Sequence, residues 1–470
     1  MAQRNVCAYN CAMNERDRAH GRRITLLTSG NMTKGIFSIA LPIILANSLV
    51  VVMELANAFF LGRVGSSALA AVTMAGAVVF FVSTFSSGLS IGTVALVARA
   101  YGERNYQKAE HIGTQSIKLG FALAIVIGSA GFLLASPMLR FMGAEGEILA
   151  MGTTYLKILF AGLFVMFFTF QVMGIFQGAG DTVTSMKIGA LSMVINIALD
   201  PILIFGLLGA PRLGVTGAAI SSLVARGIGA ILLARIILRG RHAVRLRLDD
   251  TGFDFSVIRR VLYVGLPGAL QMMIRSSSFV VMAGLAAIFG PKVVAALGVG
   301  NRLFGMFLLP GFGFGAAAST LVGQNLGARK PDRAMKSALM IVGFYLSLIV
   351  IFAVPMFLFS RHVAMAFSRE KDTIELLSEF IKFLTVGALF MSPGMIFSQA
   401  LQGAGATIYP MVAVAVSLYG IQIPLAWLLS VRLGLGAHGL WIANLASGIA
   451  NAIIMSIIFL SGRWKRHRVD

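Results

Sequence analysis

The chain reads as an all-α polytopic membrane protein: twelve transmembrane helices in two six-helix bundles that form a parallel pseudo-two-fold repeat. Composition, the spacing of apolar segments and one internal offset predict this. Of 470 residues, 57% are hydrophobic and 12% are charged, whereas a soluble chain averages about 45–50% apolar and about 25% charged. So little polar surface cannot face water, and a soluble enzyme is excluded. Apolar stretches of about 20 residues, the length that crosses a bilayer core, recur throughout.

The elements follow in order. Residues 1–34 form an amino-terminal tail with Arg4, Arg16, Arg18, Arg22 and Arg23, and it lacks the continuous apolar core of a secretory signal. The tail is expected to be retained and cytoplasmic, with residues 1–30 disordered. Cys7 and Cys11, the only two cysteines, lie in this tail and suffice for neither a disulfide framework nor a four-ligand metal site. Twelve apolar segments follow, centred at 35–60, 68–98, 115–138, 150–176, 184–209, 215–238, 258–288, 294–322, 336–360, 374–401, 409–431 and 437–461. Turn chemistry separates them, as at Gly62 and Gly65, Gln177-Gly178-Ala179-Gly180-Asp181, Gly206 and Gly209, Gly290-Pro291, and Gly434 with Gly436. The first bundle is thus 35–238 with helices 1–6, the basic linker 239–257, the second bundle 258–461 with helices 7–12, and the basic tail 462–470.

The formal charge of +21 suggests nucleic acid in a soluble protein. Here the basic residues cluster in loops, the pattern that fixes membrane orientation. Arg99, Arg104 and Lys108 follow segment 2. Arg239, Arg241, Arg245, Arg247, Arg259 and Arg260 follow segment 6, Arg329, Lys330, Arg333 and Lys336 follow segment 8, and Arg463, Lys465, Arg466 and Arg468 fill the last tail. Even-numbered loops and both termini are therefore expected in the cytoplasm, with the chain multi-pass in the inner (plasma) membrane. The loop after segment 9 is the exception, where Arg361, Arg369 and Lys371 are partly offset by Glu370 and Asp372. The expected partners are the lipid bilayer and small-molecule substrates, without nucleic acid, and a monomer is expected.

Six landmarks recur at one offset of 225 residues: Leu41-Pro42 as Leu266-Pro267, Gly102 as Gly327, Arg104 as Arg329, Glu147 as Asp372, Lys157 as Lys382, and Gln177-Gly178-Ala179-Gly180 as Gln402-Gly403-Ala404-Gly405. Matches held in register over this length indicate a duplicated unit. An even number of spans per unit makes both copies enter from the same side, so the axis lies along the membrane normal. In secondary transporters the substrate site lies between such halves. Duplicated bundles also occur in channels and in lipid-embedded enzymes.

Further motifs narrow the choice. The Leu-Pro of helices 1 and 7, Phe60-Leu61-Gly62-Arg63-Val64-Gly65, Gln177-Gly178-Ala179-Gly180-Asp181-Thr182, Asn196 with Leu199-Asp200-Pro201-Ile202-Leu203-Ile204-Phe205-Gly206, and Gly214-Val215-Thr216-Gly217-Ala218-Ala219 together resemble the MATE (multidrug and toxic compound extrusion) family over about residues 32–460. The resemblance implies a V-shaped pair of bundles that exports bulky, often cationic, amphiphilic drugs or toxic metabolites in exchange for H⁺ or Na⁺. It implies no other cofactor. A flippase or exporter of a lipid-linked or polar metabolite is the alternative.

Intramembrane carboxylates are costly and are functional hypotheses by default. Of eighteen acidic residues, only Glu54 and Asp200 lie well inside apolar segments, both in the first half. Asp200 matches the acidic position of the family's helix-5 motif, and Asn196, four residues earlier, shares its helical face. Many relatives carry Asp where this chain has Asn57, so Glu54, three residues earlier, is the substitute reaching into the same cavity. Its plain alternative is an ion pair with Arg275. Ser222 corresponds loosely to a hydroxyl position in helix 6. Cation coupling is assigned to Glu54, Asp200, Asn57, Asn196 and Ser222, with H⁺ preferred. No metal site is firm, though Na⁺ at Asp200 and Asn196 is the option to test. For Asp200 the plain alternative is a carboxylate capping a backbone break at Pro201.

The substrate-cavity wall is assigned to Gln171, Gln271, Arg275, Ser278 and Asn444. Interhelical packing is the competing role for the polar members, and Arg275 hints at an acidic or zwitterionic substrate. Pro42, Pro201 and Pro267 interrupt helical hydrogen bonding and are candidate hinges. Lys157 and Lys382 are read as snorkelling to the interface. The six histidines fall in loops, tails or helix ends, which argues against an intramembrane enzyme.

Overall fold

The computed structural model describes residues 21, 24–239 and 252–466. Most of the linker, together with Cys7, Cys11, Arg4, Arg16, Arg18, Arg22 and Arg23, lies outside the described residues. The first bundle comprises α1 (Met32–Val64), α2 (Ser66–Gly102), α3 (Tyr106–Phe141), α4 (Gly146–Ala161 continued by Leu163–Gly178), α5 (Thr182–Phe205) and α6 (Val215–Arg239). The second comprises α7 (Phe255–Ala287), α8 (Pro291–Gly327), α9 (Pro331–Leu358), α10 (Lys371–Gly403), α11 (Ile408–Arg432) and α12 (Ala437–Leu460). The chain is a multi-pass membrane protein, with no strand among the described residues. The end where α2, α4, α6, α8, α10 and α12 finish carries the basic loops and is called here the basic end.

Several helices that start at the basic end are capped by a short polar side chain, which satisfies backbone donors left free in the first turn. Asn31 accepts from Lys34 N at 3.2 Å, Asn105 from Lys108 N at 3.0 Å and Asp181 from Thr184 N at 3.4 Å. Asp254 accepts from Ser256 N at 2.9 Å and Val257 N at 3.3 Å. Pro291 and Pro331 open α8 and α9, where a missing N–H costs nothing.

Two spans depart from simple helices. α4 is bent by 51° at Gly162; each 16-residue part is about 24 Å long and falls short of a bilayer core of about 30 Å. At the bend a Cβ on residue 162 would overlap Leu223 of α6, so glycine lets the neighbouring helix fill the break. α11 is interrupted by π-helical turns at Val416–Gln422 and Leu428–Arg432. A short helix, Ser360–Phe367, precedes α10.

The repeat is visible in the backbone. Arg104 and Arg329 both adopt positive φ, 57° and 58°, and Gly180 and Gly405 both 81°. The lobes meet through matched glycines. A Cβ on Gly102 would overlap the Gln324 carbonyl, and one on Gly327 would overlap that of Arg99. Gly88 packs against Ala269 as Gly313 packs against Ile44. Each pair maps onto the other at the 225-residue offset, which places the pseudo-two-fold axis between α2 and α8.

The interlobe contacts concentrate toward the basic end. There Gln324 Nε2 donates to Gly178 O at 2.9 Å and Thr320 Oγ1 to Gln177 O at 3.1 Å. The first turns of α1 cross into the second lobe's core through Ile36, Ile39 and Ala40, and those of α7 enter the first lobe's core through Val257, Ile258 and Val261.

The structure corrects the expectation of a disordered tail up to residue 30. Residues 24–28 are helical, with Ile24 buried in the first lobe and Leu27 in the second. Lys330 Nζ donates to Thr28 O at 3.1 Å, Arg333 Nη2 to Gly30 O at 2.5 Å and Asn325 Nδ2 to Leu27 O at 3.3 Å. Cations and an amide thus satisfy the carbonyls at this turn's end.

At the opposite end Lys292 pairs with Glu370 at 2.5 Å and Asp372 at 2.8 Å. These acids therefore bind a lysine in the first turn of α8.

Candidate functional site

The first-lobe site begins with a close approach of α5 and α6. A Cβ on Gly217 would overlap the Leu203 carbonyl, so glycine lets the backbones touch. One turn along α6, Ser221 then reaches Asp200, and its Oγ donates to Asp200 Oδ1. Asp200 and Asn196 are 1% and 2% exposed, one turn apart on α5. Asn196 Nδ2 points among three oxygens: Asp200 Oδ1 at 3.5 Å, Ser221 Oγ at 3.5 Å and Ser222 Oγ at 3.4 Å.

Asp200 Oδ2 and Asn196 Oδ1 are buried without a hydrogen-bond donor. Leaving a buried acceptor unmet costs about 1–3 kcal/mol, more when the group is charged. A proton on Oδ2 removes the charge and turns an acceptor into a donor. Na⁺ would find hard oxygen donors in Asp200, Asn196 Oδ1 and the serine hydroxyls. Both ions fit the chemistry of this set.

Three of the predicted coupling residues, Asp200, Asn196 and Ser222, come together here. Glu54 and Asn57 do not hydrogen-bond to them among the described residues. Asn57 is half-buried with Oδ1 unmet. It lies one turn before Phe60, whose ring meets Phe205 of α5 edge-on at 6.3 Å. Glu54 is exposed and makes no ion pair with Arg275 among the described residues. Tyr155 of α4 lies within electrostatic reach of both Asp200 and Arg226. Arg226 also lines a small cavity beside the α4 bend with Val79, Val82, Leu163 and Leu223.

The predicted substrate-wall residues separate into three groups. Gln171 is fully buried and accepts from Thr93 Oγ1 at 2.7 Å, tying α4 to α2. Gln271 donates to Ser398 Oγ at 3.0 Å and accepts from Gln402 Nε2 at 2.8 Å, tying α7 to α10. Ser278 and Asn444 are joined through Gln422: Ser278 Oγ donates to Gln422 Oε1 at 3.2 Å, and Gln422 Nε2 donates to Asn444 Oδ1 at 3.0 Å. Gln422 ends the first π-helical turn of α11, and such turns recur at functional sites. Arg275 is exposed, without an ion pair or hydrogen bond among the described residues.

Pro42, Pro201 and Pro267 lie inside helices that run on through them. Asp200 therefore does not cap a broken helix at Pro201. Sequence reasoning missed Ser221, Gln422, Arg226 and the exposed Arg302 in the first half of α8. The Gly217-to-Ser221 spacing of one turn could have singled out Ser221. A search for mid-span cations, parallel to that for acids, would have found both arginines.

The family model MatE matches residues 42–202 and again 267–428, the two halves of the repeat. The probable multidrug resistance protein NorM of Thermotoga maritima is 28% identical over 93% of this chain and 94% of its own length. A protein of Shewanella oneidensis described as an FAD transporter is 27% identical over 90% and 94%. Among solved structures, MATE in the bent conformation superposes with a TM-score of 0.87 at 26% identity, covering 94% of this chain and 96% of the other.

Proposed function

Because this chain belongs to the MatE family, whose members are transporters, we propose that it is a secondary antiporter exporting amphiphilic small molecules in exchange for H⁺. The carrying observation is Asp200, buried within a span, with one oxygen bonded by Ser221 and the other unmet. Such a group takes a proton from one side and returns it to the other as the lobes rock about their glycine contacts. Proton loading relieves the unmet acceptor, so ion occupancy and conformation share one free energy. Glu54 serves the cleft as a second acidic group, and Asn57 as its neutral neighbour. The basic end faces the cytoplasm of the inner membrane, as the loop charges direct.

The second reading, an exporter of a polar or lipid-linked metabolite, draws on Arg275 and on the relative described as an FAD transporter. Both readings share the coupling test. In proteoliposomes, a pH gradient without Na⁺ should drive export, and Asp200→Asn should abolish it. Export driven only by a Na⁺ gradient at constant pH would replace H⁺ by Na⁺ at the same oxygens. Unimpaired transport by Asp200→Asn would sink the coupling role.

A further inference from the structure

Two unpaired arginines stand at one level of the second lobe. α7 and α8 form an antiparallel pair across Gly290, with Arg275 twelve residues before the end of α7 and Arg302 eleven residues after the start of α8. At 1.5 Å per residue both lie about 17 Å from that end of the hairpin. Both are exposed, and neither makes an ion pair or hydrogen bond among the described residues.

Their helical faces say what they look at. On α8, Gly313 packs against Ala40 and Ile44 of the other lobe. Arg302 lies eleven residues from it, about 20° around the helix at 3.6 residues per turn. On α7, Gly268 packs against Ile91 of α2, and Arg275, seven residues on, is again within about 20° of that face. Both arginines therefore continue the face that meets the first lobe, beyond the level where the lobes touch. Arg275 and Arg302 are exposed and share the orientation of the face that carries the interlobe contacts, which turns them toward the space between the lobes. A guanidinium at this depth on a lipid face would carry a large insertion cost.

We propose that the α7–α8 wall of the cleft is an anion-recognition surface, on which Arg275 and Arg302 bind the negatively charged head group of an amphiphilic substrate. The proposal rests on the exporter reading and names its substrate class: organic anions with an apolar body, carrying carboxylate, sulfonate or phosphate. The guanidinium offers a planar fork of donors that matches these groups. The exposed Phe279 and Met306, each one turn from an arginine, supply adaptable apolar surface for the body. Glu54 of α1, ten residues beyond Ile44, comes level with Arg302 along the helix axis.

The test uses two dyes of one xanthene core, fluorescein as dianion and rhodamine 6G as cation, against the full chain in phosphatidylcholine nanodiscs. Fluorescence anisotropy should show fluorescein binding about tenfold or more tighter than rhodamine 6G, the scale of one charge-assisted contact. R275Q/R302Q should lose that factor for fluorescein without weakening rhodamine 6G. R275K/R302K should restore part of it, which separates lost charge from misfolding, and Lys157→Gln should change neither dye. Equal affinity for the dyes, preference for rhodamine 6G, or fluorescein binding that survives R275Q/R302Q would overturn the proposal. Gradient-driven rhodamine 6G export with no response to fluorescein would overturn it while leaving the exporter reading intact. Fluorescein binding without gradient-driven movement of either dye would count against the exporter reading alone.

Discussion

The two lobes share one backbone plan yet differ where α5 meets α6 and where α11 meets α12. At the 225-residue offset Asp200 becomes Leu425, Asn196 becomes Ile421, Ser221 becomes Ala446 and Gly217 becomes Ile442. Only Ser222 keeps its type, as Ser447. The first lobe thus has the glycine that lets two helices touch and the carboxylate that the touch surrounds with hydroxyls. The second has neither. In their place it has a neutral chain, Ser278 to Gln422 to Asn444, on a helix loosened by π turns. Duplication supplied a frame, and divergence gave a titratable site to one copy and a hydrogen-bonding site to the other.

This division can be broken most severely at Asp200. Asp200→Asn should reduce gradient-driven export by about a hundredfold or more, the scale of losing a proton-transfer group, with expression unchanged. Leu425→Asn, at the matching place, should leave coupling intact when both variants are compared in proteoliposomes. Gly217→Ala comes next. Forcing α5 and α6 apart should cost about 1–3 kcal/mol, read as a lowered thermal midpoint, together with weaker export. The neighbouring serines sharpen the comparison further: Ser221→Ala should impair export more than Ser222→Ala, because only Ser221 bonds the carboxylate directly. In the second lobe, Gln422→Leu should cost about 1 kcal/mol of stability and alter substrate affinity without changing the ion that drives export.

The smallest effect concerns the entry to α7. His111 and Ser256 hold the Asp254 carboxyl below the usual carboxylate range. A depressed folded-state pKa adds stability above the unfolded value and loses it only as pH falls through the folded one. The thermal-midpoint advantage of the parent over Asp254→Asn should therefore shrink as pH falls below the usual Asp pKa of about 3.9.

Much of this was legible in the sequence. The offset in Leu-Pro, Gly102 and Gln-Gly-Ala-Gly gave the repeat and its symmetry, because duplicated turns need the same special residues. Asp200 and Asn196 stood out because charge is rare in an apolar span. The bend at Gly162 did not, since both halves of α4 are apolar and one glycine leaves the pattern unbroken. The π turns of α11 leave no compositional mark, so Gln422 was hidden. Ser221 and Ser222 are adjacent, and a rotation of about 100° between them decides which one touches the carboxylate. That rotation is set by where Gly217 meets Leu203, a tertiary contact. Residues 24–30 read as polar tail because Ile24 and Leu27, even with Leu26 beside them, are too few to form a segment alone.

Those two side chains sit three residues apart, about 4.5 Å along a helix, yet one is seated in each lobe. A single turn cannot follow two bodies that move apart. Under the alternating access proposed above, one of the two would leave its socket and meet solvent, at roughly 1.5–3 kcal/mol for an aliphatic side chain of this size. On that reading the amino-terminal turn would be a spring clip between the two lobes. Shortening the chain by a few residues there would shift the balance between the two openings without touching the cleft.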